Sequence, residues 1–231
     1  MVNLLRRAKQ VRKRRDDLPG RLITMSDPFA AAAEDYKALR TRLFYSTMNT
    51  PHVVMFTSPG PGEGKTTTCA NLGVVLAQAD KSTLVVDCDL RKPTLHKIFG
   101  LRNVRGLTNV LAGEYDLQDV WVEPLQGLKV VTVGQMPFNP TEVLSSRRYT
   151  EFLRKIRQDF DYVLLNASPT QPVSDAMILA SQADAVLVVF DAQRLHEGPV
   201  RRAIHALGAV EANVLGTVMT NVMPPEKGDY Y

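Results

Sequence analysis

Two hydrophobic rhythms alternate along this chain. Short runs at His52–Thr57, Thr83–Val86, Leu128–Val133, Tyr162–Leu165, Ala185–Phe190 and Val214–Thr220 are apolar at nearly every position. Runs without polar alternation predict strands buried on both faces. Between them lie stretches that suit helices, over about residues 30–46, 65–79, 107–112, 116–121, 174–181 and 197–210. One or two further helices are predicted within Thr141–Phe160. Asp27 and Pro28 punctuate the start of the first long helix, which Leu39, Leu43 and several alanines favour. Strands that alternate with helices imply right-handed crossovers. The prediction is therefore an α/β fold, with a mostly parallel central sheet and helices on both faces.

The pattern also divides the chain. Residues 1–25 show no core face and read as a basic, disordered leader, residues 26–223 as one domain, and residues 224–231 as a tail after Pro224 and Pro225. A length of 231 residues supports one good core and falls short of two full ones. No stretch approaches the ~18 continuous apolar residues of a membrane span, and no apolar signal segment follows the leader. Cys69 and Cys88 form no metal-ligand pattern, which fits a reduced, cytoplasmic setting. His52, His96, His196 and His205 have no ligand spacing either, and Trp121 reads as a core residue.

Charge changes the picture at one end only. Seven of the ten residues from Arg6 to Arg15 are Lys or Arg, within a net charge of +4. Such a run is either a solvated tail or a segment drawn to anionic lipid or an acidic partner. It lacks the interleaved aromatics that stack on bases, so nucleic acid is not expected as a partner.

The candidate chemistry clusters at strand ends, where ligands sit on parallel sheets. Thr57-Ser-Pro-Gly-Pro-Gly-Glu-Gly-Lys-Thr-Thr-Thr68 joins a predicted strand to a predicted helix. Glycines let several backbone N–H groups face one anion, and the helix adds the positive end of its dipole. This is the arrangement of a P-loop NTPase. Gly60, Gly62, Glu63, Gly64, Lys65, Thr66 and Thr67 are the candidate ATP-binding residues. Lys65 supplies charge to the β- and γ-phosphates, and Thr66 a hydroxyl to Mg²⁺. Pro59 stands where a strict P-loop has glycine.

Asp87 and Asp89 follow the second strand, two residues apart and so on one side of an extended chain. Such a pair can hold Mg²⁺ through water, and one member can take a proton from an attacking hydroxyl. The strand Tyr162–Leu165 closes on Asn166, where a Walker B strand closes on aspartate. An amide has the shape of a carboxylate without its charge. It can hydrogen-bond a metal-bound water, but it cannot act as a base or neutralise Mg²⁺. The candidate catalytic set is Lys65, Asp87, Asp89 and Asn166, and the candidate metal set Thr66, Asp87 and Asn166.

These blocks resemble the bacterial tyrosine kinases (BY-kinases) of capsule and exopolysaccharide synthesis. Pro61–Thr66, Asp87–Arg91 and Asn166–Pro169 match that family's Walker A, A′ and B blocks, and the resemblance runs from about Leu22 to the end. Gly106–Leu111, Asn139–Glu142, Val173–Ala176 and Gly216–Asn221 match as well. The resemblance implies an ATP- and Mg²⁺-dependent tyrosine autokinase, with Asn221 near the adenine. It places Glu34, Lys37 and Arg40 on the family's E-x-x-R-x-x-R oligomerisation motif, one helix face of a ring contact. A plain solvated helix face is the alternative for those three residues. The ending Lys227-Gly-Asp-Tyr-Tyr231 resembles the start of a tyrosine tail, making Tyr230 and Tyr231 the acceptors of a neighbouring subunit's kinase. The implied partners are a transmembrane polysaccharide co-polymerase adaptor, further copies in a ring and a tyrosine phosphatase. The implied location is the inner face of the cell membrane, reached through the adaptor. Two other readings stay open. Asn166 allows a nucleotide-binding pseudokinase. The loop also allows a MinD/ParA-like ATPase, although Gly60 stands where that class has a second lysine.

Overall fold

A computed structural model describes residues 22–45, 52–171, 174–194 and 196–222. Seven strands form one sheet: β1 Val53–Thr57, β2 Thr83–Asp87, β3 Val122–Leu125, β4 Leu128–Val131, β5 Tyr162–Asn166, β6 Ala185–Asp191 and β7 Val214–Thr220. Their order is β3-β4-β2-β5-β1-β6-β7, and every neighbouring pair is parallel except β3 with β4. The helices are α1 Ile23–Ser26, α2 Ala31–Tyr45, α3 Lys65–Ala77, α4 Leu95–Ile98, α5 Leu107–Ala112, α6 Leu117–Val120, α7 Pro140–Leu144, α8 Arg147–Asp159, α9 Asp175–Ala180 and α10 Glu197–Gly208. This is the expected mostly parallel α/β architecture of a P-loop NTPase.

The sheet separates two apolar cores because successive side chains of a strand point to opposite faces. Val54, Phe56, Val85, Leu164 and Val189 pack with Leu43 of α2, Leu72 and Leu76 of α3, and Ile98 of α4. Val53, Met55, Val86, Leu165 and Val188 pack with Leu107 of α5, Tyr149 and Ile156 of α8, Leu179 of α9, and Leu207 of α10. Each fully buried aliphatic side chain contributes roughly 1.5–3 kcal/mol. The central strands β1, β2, β5 and β6 are buried at every position. Their carboxyl ends are therefore firm anchors for whatever follows them.

Two local expectations need correction. The leader boundary at residue 25 falls inside α1: Leu22 is buried, and the backbone N–H and hydroxyl of Thr24 both donate to the buried Asn71 amide oxygen of α3. Residues 1–21 lie outside the described residues, as does the tail from 223. β3 was not expected, because Glu123 and Pro124 interrupt its apolar pattern. It is an edge strand, where proline is tolerated. Trp121 packs against the core as expected, partly buried, with its ring facing the Lys129 ammonium 4.1 Å from the ring centre. The stretch within Thr141–Phe160 forms two helices, α7 and α8, with Ser146 capping the second by accepting the N–H of Tyr149.

Candidate functional site

The phosphate loop turns on two glycines with left-handed backbone, Gly62 (φ 81°) and Gly64 (φ 92°). Side chains are strained in that region, and a Cβ on Gly64 would lie 2.8 Å from Cγ2 of Thr220. The loop is tied shut from inside and from β7. The Glu63 carboxylate accepts the N–H of Gly60 at 2.7 Å, and the Glu63 carbonyl accepts the Thr220 hydroxyl at 3.0 Å. Burial raises the Glu63 carboxyl above its ordinary value, against the opposing hydrogen bond from Gly60. Gly64 then caps α3, whose thirteen residues direct the positive dipole end into the loop.

Lys65 opens α3 and reaches across to the A′ block, Nζ lying 3.0 Å from Oδ2 of Asp89. The other Asp89 oxygen accepts the Ser168 hydroxyl at 3.2 Å and the Lys92 N–H at 3.1 Å. Thr66 and Thr94 share a hydroxyl hydrogen bond of 2.9 Å. These residues line one cleft of about 1160 Å³, which runs from the loop between α2 and the end of β7. That is more than the 300–1000 Å³ of most small-molecule pockets.

Asp87 and Asn166 stand behind this wall, fully buried and opposite one another on β2 and β5. The Asn166 amide donates to Oδ1 of Asp87 at 2.8 Å. Asp87 also accepts the N–H groups of Thr94 (3.2 Å), Leu95 (3.0 Å) and Asp89 (3.3 Å). Burial pushes its carboxyl up to about 6, even against the bonds from Asn166 and Leu95. Two of the three residues predicted to face the metal, Asp87 and Asn166, are thus bound to each other beneath the cleft, while Thr66 lines it. Of the two aspartates of the A′ block, Asp89 is the one on the cleft wall. Among the described residues, Asn166 Oδ1 is buried without a hydrogen-bond partner.

Asn221 also lies on the cleft wall, at φ 54°, with its amide donating to Asp191 at 2.9 Å. Glu34 and Lys37 pair at 2.6 Å on the surface of α2. Arg40 departs from the expected common face: its Nη1 turns to the carbonyl of Val75 at 3.0 Å. Tyr230 and Tyr231 lie outside the described residues.

Sequence reasoning gave no role to a second constellation. Arg91 clasps the fully buried Asp175 with Nε to Oδ2 at 2.6 Å and Nη2 to Oδ1 at 3.2 Å, and the Thr141 hydroxyl donates to the same carboxylate at 2.7 Å. The signal was present, because all three belong to blocks singled out by resemblance. The third of these blocks begins at Val173, which lies outside the described residues. What was missing was their convergence from A′, α7 and α9. Ser168 and Thr94 were missed for the same reason.

Chemically, the site fits a magnesium–nucleotide complex. Left-handed glycines, a helix N-terminus and the Lys65 ammonium suit a triphosphate. The Thr66 hydroxyl and the Asp89 carboxylate are oxygen donors of the kind a hard divalent cation takes.

A glycine loop between a buried parallel strand and a helix, closed by Lys-Thr, defines a P-loop nucleotide-binding protein. A family model described as an AAA domain matches residues 52–215. Tyrosine-protein kinase YwqD of Bacillus subtilis is 36% identical over 211 residues, covering 90% of this chain and 89% of that protein. Tyrosine-protein kinase Wzc of Salmonella typhimurium is 33% identical over 196 residues, which are 84% of this chain and 26% of Wzc. The kinase domain of the Escherichia coli tyrosine kinase ETK matches with a TM-score of 0.86 at 30% identity, over 95% of this chain and 86% of that one. The chain belongs to the bacterial tyrosine-kinase family. It spans nearly all of YwqD and about a quarter of Wzc. Among the described residues no helix is long and apolar enough to cross a membrane.

Proposed function

We propose that this protein is an ATP-dependent protein-tyrosine autokinase that phosphorylates Tyr230 and Tyr231 of a neighbouring copy. One observation carries the reading: the Lys65 ammonium and the Asp89 carboxylate meet at 3.0 Å on the wall of a cleft that begins at the phosphate loop. In the reaction the tyrosine oxygen bonds to the γ-phosphorus, the bond to the β–γ bridging oxygen breaks, and ADP leaves. Lys65 and the amides of Gly62–Thr66 offset charge on the transferring group. Asp89 takes the phenolic proton. Asp87 is unsuited to that task, because it lies fully buried behind the cleft wall, bound to Asn166. Thr66 would hold Mg²⁺, which would supply electrostatic stabilisation of the phosphates. Gly60, Glu63, Thr67 and Asn221 complete the nucleotide contacts.

The resemblance extends the proposal to biology. The kinase would regulate capsule or exopolysaccharide synthesis and assemble into a ring through α2. It would work at the inner face of the membrane beside a transmembrane co-polymerase adaptor, and a tyrosine phosphatase would reverse it.

Asn166 favours a second reading, a pseudokinase that binds nucleotide and transfers phosphate slowly. The Asn166–Asp87 hydrogen bond supports it, since it places an amide where a cation would otherwise find charge. Phosphotyrosine measured by mass spectrometry, after incubation with Mg·ATP and the membrane partner, separates the readings. Asn166→Asp is expected to raise phosphotyrosine by roughly tenfold or more. Absence of phosphotyrosine from that variant sinks the kinase proposal, and a normal rate on the unaltered chain removes the pseudokinase.

A further inference from the structure

Asp87 occupies an unusual electrostatic position. Its carboxylate is fully buried at the end of β2, in register with Asn166 on β5. Two cations of the neighbouring blocks are engaged elsewhere: Lys65 pairs with Asp89, and Arg91 with Asp175. The side chain that donates to Asp87 is the Asn166 amide, at 2.8 Å. Its other donors are the backbone N–H groups of Asp89, Thr94 and Leu95.

An aspartate at 166 would set two carboxylates against each other on paired strands, at the distance now filled by a hydrogen bond. Like charges so placed repel strongly, and either a proton or a divalent cation is needed to hold them. An amide removes that requirement. It offers a donor to Asp87 and keeps an unused carbonyl, Oδ1, buried beside it.

We propose that Asn166 is a built-in neutral clasp on Asp87: its amide holds the ends of β2 and β5 together where a second carboxylate would need a proton or a cation, so the site is assembled without metal. The Asp87 side chain in turn holds the N–H groups of Thr94 and Leu95 at the start of α4, and Thr94 holds the Thr66 hydroxyl. The amide therefore positions the cation-facing side of the cleft through three successive contacts. Asn166 is a positioning residue here.

The inference rests on the proposed cation site only in its magnesium arm. The experiment contains no nucleotide, so its failure and the failure of the kinase proposal are told apart. The unaltered chain, Asn166→Asp, Asn166→Ala and the exchanged pair Asp87→Asn/Asn166→Asp are unfolded thermally at pH 8, in EDTA and in MgCl₂. The unaltered chain is expected to melt at the same temperature in both. Asn166→Asp should melt roughly 5–10 °C lower in EDTA, a shift typical of losing one buried polar contact and adding repulsion. It should recover part of that loss in MgCl₂. Asn166→Ala should also melt lower, with no recovery. The exchanged pair restores one donor facing one carboxylate, so it should regain at least half of the loss in EDTA.

Equal melting of Asn166→Asp and the unaltered chain in EDTA overturns the inference. So does a magnesium gain as large in the unaltered chain as in Asn166→Asp. Should Asn166→Asp fail to fold at all, the exchanged pair decides alone: folding supports the inference, and failure contradicts it.

Discussion

Gly64 shows how a residue without a side chain controls the site. Its φ of 92° directs the chain from the loop into α3, and any Cβ there would collide with Thr220. Gly64→Ala is expected to cost about 1–3 kcal/mol, from backbone strain and displacement of Thr220. Urea unfolding measures it, and a change within ~0.5 kcal/mol would deny the loop its tie to β7. At this scale the sequence was most informative where chemistry is local. Lys65, Thr66 and the loop glycines are read from one contiguous stretch. The partners Ser168, Thr94, Arg91, Thr141 and Asp175 were not, because each meets the site from a different strand end or helix. Asp87 was assigned to metal on its spacing from Asp89 and the phosphate loop upstream. Its burial beneath Asp89 depends on how β2 packs between β4 and β5, which spacing does not encode.

Among the elements, α3 carries the loop and is buried along most of its length. Gly73 sits in its middle, where helix propensity alone predicts that alanine stabilises by ~1 kcal/mol. The packing reverses that sign. A Cβ on Gly73 would lie 2.6 Å from Cγ2 of Val85 and 3.3 Å from Cδ1 of Leu128, both buried in the sheet. Gly73→Ala is expected to destabilise by about 1–3 kcal/mol, a net gain in stability being the contrary result.

The strands β2 and β5 are joined at their starts by Asp161. One of its oxygens accepts the N–H and hydroxyl of Ser82 at 2.8 and 2.9 Å, and these bonds hold its carboxyl below the usual value of 3.8. The folded state therefore binds this proton less readily than the unfolded state. The contribution is complete above about pH 4 and is lost as pH falls through the lowered folded value. The stability difference between the chain and Asp161→Asn should accordingly shrink as the solution is acidified below that point. A difference that stays constant down to pH 2 in denaturant titrations would contradict it.

Elements with a continuous apolar run were legible in the sequence, and β3 and α1 were not. β3 is held by its antiparallel pairing with β4, and α1 by the bonds of Thr24 to Asn71. Both are held by tertiary partners rather than by local pattern.

For the whole molecule, the sheet order places β1, β2, β5 and β6 side by side, and their carboxyl ends bring the loop, both aspartates and Asn166 together. The overall class was legible because uninterrupted apolar strands leave few arrangements besides a two-sided parallel sheet. The arrangement of the helix face expected to make a ring contact was less so. Glu34 and Lys37 are paired on the surface, but Arg40 serves the packing of α2 on α3. A helical spacing of three names neighbours on one face without saying which way a long side chain bends.

Every functional claim depends on the cleft taking a magnesium–nucleotide complex. Isothermal titration calorimetry of Mg·ATP into the unaltered chain and into Lys65→Ala tests this most directly. The predicted result is saturable one-to-one binding by the unaltered chain, weakened at least about tenfold in the variant, equivalent to ~1.4 kcal/mol. No heat from the unaltered chain, or equal affinity in the two proteins, would contradict it.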